Sequence, residues 1–94
     1  MEVKHKDDGK RGAFYIEIDG KQEAVMTYTH SGPQKIIIDH TEVGDKLKGQ
    51  GIGYQLVEAS VDYLRENHLK AIPLCPFANA VFKKKHDQYA DVLS

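Results

Sequence analysis

Three glycines alternate with larger residues in Lys48-Gly49-Gln50-Gly51-Ile52-Gly53. A strand-like apolar run precedes them and a helical pattern follows. Glycine costs about 1 kcal/mol relative to alanine inside a helix, yet two of the three stand where a helix should begin. Bare backbone at such a place lets an anion approach the free N–H groups of a helix N-terminus closely. The stretch reads as a diphosphate-binding arm, and the other elements must be those that position it.

Those elements fall into two halves. Residues 2–6 read as a short edge strand turned by Asp8-Gly9. In residues 13–18, Phe14, Ile16 and Ile18 alternate with Tyr15 and Glu17. Asp19-Gly20 is the dipeptide of a type I′ hairpin turn. Residues 22–29 alternate again through Ala24, Met26 and Tyr28, and His30-Ser31-Gly32-Pro33 is a second turn. Residues 35–43 contain Ile36-Ile37-Ile38, expected of a central strand covered on both faces. The first half is thus an antiparallel meander. After the glycines the period changes. Ile52, Leu56, Ser60, Tyr63 and Leu64 share one face of an amphipathic helix of about four turns, with Asn67 as its left-handed stop. Residues 70–74 read as a strand parallel to 35–43, with pairing ended by Pro73. Pro76 opens another helix, and the tail from Asp87 carries Tyr89, Val92 and Leu93, enough to pack down.

Composition narrows the function. A chain of 94 residues suits one domain, residues 1–94, with one modest core. A formal charge of −1 gives no electrostatic footprint for nucleic acid. No run is long and apolar enough to span a membrane, and residues 1–6 carry no apolar leader segment. A lone Cys75 allows no intrachain disulfide, so a cytoplasmic protein is expected, with an organelle or the nucleus left open. The five histidines and Cys75 show no metal-ligand spacing, so no metal is expected. An exposed edge at residues 2–6 suits a monomer or weak dimer.

The arm can also be narrowed. No lysine follows the last glycine as a Walker loop requires. A dinucleotide fingerprint needs a further glycine where Leu56 or Tyr54 stands, and an acidic residue where Cys75-Pro76 stands. What remains resembles the acetyl-CoA diphosphate arm of the GNAT N-acetyltransferases, Gln/Arg-x-x-Gly-x-Gly/Ala. Gly51 and Gly53 match it, and Lys48 stands where Gln or Arg is usual, keeping the charge but losing the planar fork. The chain is similar in particular to the very small GNAT-like proteins of the YjdJ type. Their three recurring pieces appear in order as His40-Thr41-Glu42-Val43, Leu74-Cys75-Pro76-Phe77, and His86 with Tyr89 and Asp91. The resemblance covers nearly the whole chain.

It implies an α/β (α+β) fold: a mainly antiparallel twisted sheet, a splayed parallel strand pair and two helices. The acetyl-CoA thioester would lie where strands 35–43 and 70–74 part. Coenzyme A would meet Val43, Lys48, Gly49, Gln50, Gly51, Ile52, Gly53, Tyr54 and Phe77, with Lys83 reaching its 3′-phosphate. Lys83-Lys84-Lys85 is also, and more often, a solvated helix face. Transfer to an amine needs the amine neutral, which for a lysine-like group of pKa about 10.4 costs about 4.6 kcal/mol at pH 7. His40 and Glu42 are the candidate bases, sharing a strand face if no bulge intervenes, with Asp39 facing away. Backbone N–H near Val43 would receive the oxyanion.

Cys75, ahead of a helix N-terminus, is either a thiolate that accepts the acetyl group or a small packed hydrophobe. His40 and Glu42 also have bland readings, as a packed strand histidine and a solvent-facing strand end. The expected activity is N-acetyl transfer from acetyl-CoA to an unidentified amine, directly or through S-acetyl Cys75. The alternatives are a non-catalytic acyl-CoA-binding or sensing module, or an interaction domain whose glycines serve packing only.

Overall fold

In the computed structural model, which describes residues 2–94, five strands lie in sequence order across one sheet. They are β1 (Lys4–Asp7), β2 (Arg11–Ile18), β3 (Lys21–His30), β4 (Lys35–Val43) and β5 (Lys70–Pro73). β1 to β4 pair antiparallel, and β5 joins β4 in parallel from Lys35↔Lys70 to Ile38↔Pro73. The β2–β3 turn puts Asp19 at φ 54° and Gly20 at φ 78°, the two positive values that a type I′ turn demands. Phe14, Ile16, Ala24, Met26, Tyr28, Ile36 and Ile38 are buried on one face.

Helices cover that face alone. α1 (Ile52–Glu66) lies across β2 to β4, and α2 (Pro76–Lys84) lies over β4 and β5. The buried stripe of α1 is Ile52, Leu56, Val57, Ser60, Val61 and Leu64, wider than the spacing suggested. Tyr63 is only half-buried, at the edge of that stripe. β4 is therefore covered on one side and not on two: Ile36 and Ile38 are buried, whereas Ile37 between them is half-exposed.

Two further corrections concern helix ends. Asn67 is the C-cap of α1 at φ −104°, and His68 holds the left-handed conformation at φ 56°. Leu69 N–H donates to the Leu64 carbonyl at 2.9 Å and His68 N–H to that of Arg65 at 3.4 Å, and Leu69 packs on the core. This is a Schellman closure, and the Leu69 contact selects His68 for the strained position. There is also a third, short helix, α3 (His86–Tyr89), and two 3₁₀ turns, Asp45–Leu47 and Ala90–Val92. They arise because the buried Tyr89 and Val92 dock: Tyr89 meets Phe82 edge-on at 5.5 Å. Arg65 then grips Asp91 at 2.9 and 3.1 Å, and Ser94 N–H bonds the Ala71 carbonyl at 3.0 Å. No helix among the described residues is long and apolar enough to cross a membrane.

Candidate active site

β4 outruns β5 by five residues, from Asp39 to Val43. The Ile38 carbonyl accepts from both Leu74 N–H (3.1 Å) and Cys75 N–H (3.0 Å), and the two strands part there. The chain after β4 turns through Gly44 and Asp45–Leu47 into the glycine arm. Gly49 and Gly51 have φ of 79° and 72°, which only glycine adopts without strain. Gly51 is the N-cap of α1, with no side-chain cap and no acidic residue in the first turn. The first helical bond is Gln55 N–H to the Gly51 carbonyl, so the N–H groups of Ile52, Gly53 and Tyr54 precede it. Gly53 has another purpose: an added Cβ would lie 2.3 Å from the Phe77 ring.

Beside this helix end lies a cleft of about 230 Å³ lined by Val43, Leu47, Lys48, Gly49, Gly51, Ile52, Gly53, Tyr54 and Phe77. Tyr54, Phe77 and Leu74 are the exposed large apolar residues of the described chain. Of the arm residues named from the sequence, only Gln50 is outside the lining; its amide N–H donates to the Lys46 carbonyl at 3.1 Å and ties the arm back. Lys48 is exposed and pairs with Asp45 at 3.0 Å. Lys83 points into solvent in the last turn of α2. Lys85, which the sequence reading left within a solvated run, sets its ammonium 5.2 Å above the Tyr54 ring.

Cys75 is buried and is the N-cap of α2. Burial pushes its thiol pKa up, but N–H groups of Ala78 and Phe77 and the Thr41 hydroxyl outweigh this, leaving it below the ordinary thiol value. The Cys75 S–H donates to Thr41 Oγ1 at 3.3 Å, and on ionisation the hydroxyl can rotate to donate in return. Thr41 was missed because its facing depends on a bulge. Thr27 pairs with His40 but Tyr28 pairs with Ile38, so Asp39 is an extra residue in β4. Beyond it Thr41 and Val43 pair with the buried Met26 and Ala24, on the helix side. His40 and Glu42 pair with Thr27 and Val25 on the open face, 3.3 Å from each other and largely exposed. Asp39 does not turn away from His40 as expected: its carboxylate accepts from Thr29 on that same face, at 2.8 Å. Among the described residues no group of three or more His, Cys, Asp or Glu side chains is placed to hold a metal.

Comparison with known proteins agrees with this geometry. The chain is 32% identical over 93 residues to protein NATD1 of Danio rerio, covering 97% of this chain and 83% of that one. It is 39% identical to a GCN5-like protein of Staphylococcus aureus of known solution structure, with TM-score 0.76 over 99% of this chain and 87% of the other. An acetyltransferase predicted in Clostridium acetobutylicum, whose crystal structure contains acetyl-CoA, shares the fold at TM-score 0.65 and 16% identity, over 82% and 57% of the two chains. Residues 13–92 match the model of the GCN5-related N-acetyl-transferases, and this chain belongs to that family.

Proposed function

We propose that this protein binds acetyl-CoA in the cleft beside α1 and transfers the acetyl group to an amine. The observation that carries the reading is the uncapped N-terminus of α1, entered through left-handed Gly49 and Gly51, opening on an apolar cleft next to the strand splay. Unbonded N–H groups and the helix dipole favour a diphosphate there. Val43, Leu47, Tyr54 and Phe77 offer apolar contact to the uncharged arm of the coenzyme, and Lys85, 5.2 Å above the Tyr54 ring, sets a cation at its rim. The acetyl-CoA in the similarly folded Clostridium protein supports the same ligand.

The stabilised thiolate of Cys75 favours the two-step route. Its thiolate attacks the thioester carbonyl, the carbon–sulfur bond to coenzyme A breaks, and the coenzyme leaves as a thiolate that takes a proton from solvent. The amine, having passed one proton to the His40–Glu42 pair on the open face, then attacks S-acetyl Cys75 through the splay; its second proton goes to solvent as the Cys75 thiolate is released. In the direct route the amine attacks the coenzyme thioester itself and Cys75 only lines the site.

Calorimetric titration with acetyl-CoA, using NAD as control, followed by intact mass, tests both levels. The expected result is binding of acetyl-CoA alone and an added acetyl group that Cys75→Ala abolishes. Binding without modification in any amine screen would leave a sensing module. Absence of acetyl-CoA binding would return the glycines to a packing role and end the proposal.

A further inference from the structure

The helix-free face of the sheet carries a second pocket close to the arm. Gln22, Glu23, Ala24, Val25, Glu42 and Gly44 line about 210 Å³. The Glu23 side chain is 8% exposed, and its Oε2 has no hydrogen-bond partner among the described residues. The backbone holds it there. β2 pairs Ile16 with Ala24 and Glu17 with Gln22, so Glu23 is an inserted residue, and its carbonyl accepts from Gly44 N–H at 2.7 Å. A Cβ on Gly44 would lie 2.8 Å from that carbonyl oxygen and 3.1 Å from Glu23 Oε1, so glycine keeps the space around the carboxylate clear. A buried carboxylate oxygen without a donor is costly unless a cation reaches it.

The chain offers a cation of its own. Lys46 Nζ lies 3.5 Å from Glu23 Oε2, with most of the lysine side chain in solvent. A closed ammonium–carboxylate bond measures about 2.7–2.9 Å, so Lys46 approaches without closing one. Glu42 adds a second, exposed carboxylate beside His40.

We infer that this pocket seats a primary ammonium of the acetyl acceptor in place of Lys46, and that the acceptor is a linear aliphatic diamine or polyamine. The inference rests on the acetyl-transfer reading above. Val43 lines the coenzyme cleft on one face and Gly44 lines this pocket, so donor and acceptor sites meet at one peptide bond. A nitrogen held by Glu23 stays protonated and is no nucleophile. The reacting nitrogen must be a second one, which is why a diamine fits and a monoamine does not. The second nitrogen passes its proton to the His40–Glu42 pair before attack, while the bound ammonium is unchanged.

The test is a nuclear magnetic resonance titration of the full chain with 1,4-diaminobutane and with butylamine, run beside acetyl-CoA calorimetry. The diamine should shift the amide signals of Glu23, Glu42 and Gly44, and bind about tenfold more tightly than butylamine, as one added charge-assisted contact provides. Glu23→Gln should lose at least about tenfold in diamine affinity while acetyl-CoA affinity holds. Lys46→Met should tighten diamine binding, an effect that misfolding cannot produce. Equal affinity for diamine and butylamine, no loss in Glu23→Gln, or no gain in Lys46→Met overturns the proposal. Tighter binding of a lysine tetrapeptide than of the diamine overturns the acceptor class. Glu23-dependent diamine binding without acetyl-CoA binding would instead end the transfer reading and spare the ammonium site.

Discussion

The two ends of the sheet treat their polar groups in opposite ways. At the end near Asp7 they satisfy one another. The Tyr28 hydroxyl donates to Asp7 Oδ2 at 2.6 Å, His30 Nε2 contacts the same oxygen at 2.7 Å, and Tyr63 reaches it at 3.4 Å. His5 Nε2 stands 2.6 Å from the Tyr28 oxygen, and its ring stacks on Phe14 at 4.3 Å. At the arm end, N–H groups are left without a side-chain cap, aromatic rings are half in solvent, and Glu23 Oε2 lacks a hydrogen bond among the described residues. A closed polar network stabilises a fold, whereas open polar groups keep interaction free energy for a ligand.

Two glycines sharpen the contrast. A Cβ at Gly12 would lie 2.3 Å from the Tyr28 ring, and one at Gly53 would lie 2.3 Å from the Phe77 ring. Tyr28 is 1% exposed and pinned by hydrogen bonds, while Phe77 is 38% exposed. Gly12→Ala should therefore be the more damaging, by about 3 kcal/mol in denaturant unfolding. Next comes Tyr28→Phe, expected to cost about 1–2 kcal/mol because Asp7 and His5 both lose a partner.

The acid limb comes third. Burial raises the Asp7 carboxyl, but donation from Tyr28, Gly9 and His30 outweighs it and sets the pKa at about 2, against an ordinary 3.8. The folded state then binds fewer protons than the unfolded one. The contribution is present above the ordinary value and lost as pH falls through about 2. After solvent screening it is about 1 kcal/mol, and Asp7→Asn should flatten acid unfolding by that amount.

The smallest stability effects belong to the arm end. Gly53→Ala should stay within about 1 kcal/mol, since Phe77 can swing aside and alanine favours the helix. Its displaced ring should nevertheless weaken acetyl-CoA binding in calorimetry. Thr41→Val should leave stability nearly unchanged and move the pH profile of Cys75 alkylation upward, because one donor to the thiolate is gone.

Much of this was legible because it is local. Alternation in Phe14-Tyr15-Ile16 and Ala24-Val25-Met26 names the buried face of β2 and β3 without knowledge of any partner. Asp19-Gly20 needs only its own dihedral preferences. The arm glycines sit between a strand and a helix that each declare themselves by period, and two of the three adopt the left-handed backbone. The site was less legible. Lys83 and Lys85 are alike in composition, and only the packing of α2 against α1 brings Lys85 over Tyr54.

What the amino-acid order determined alone was the succession of elements, the turns and the arm, all set by side-chain period and backbone preference within a few residues. What only the tertiary structure decided was facing. One inserted residue, Asp39, divides Thr41 and Val43 from His40 and Glu42, and another, Glu23, buries a carboxylate behind the arm. A one-residue slip in a strand reverses every side chain beyond it. Whether it occurs depends on the register of the neighbouring strands, which nothing in Ile38-Asp39-His40-Thr41 records.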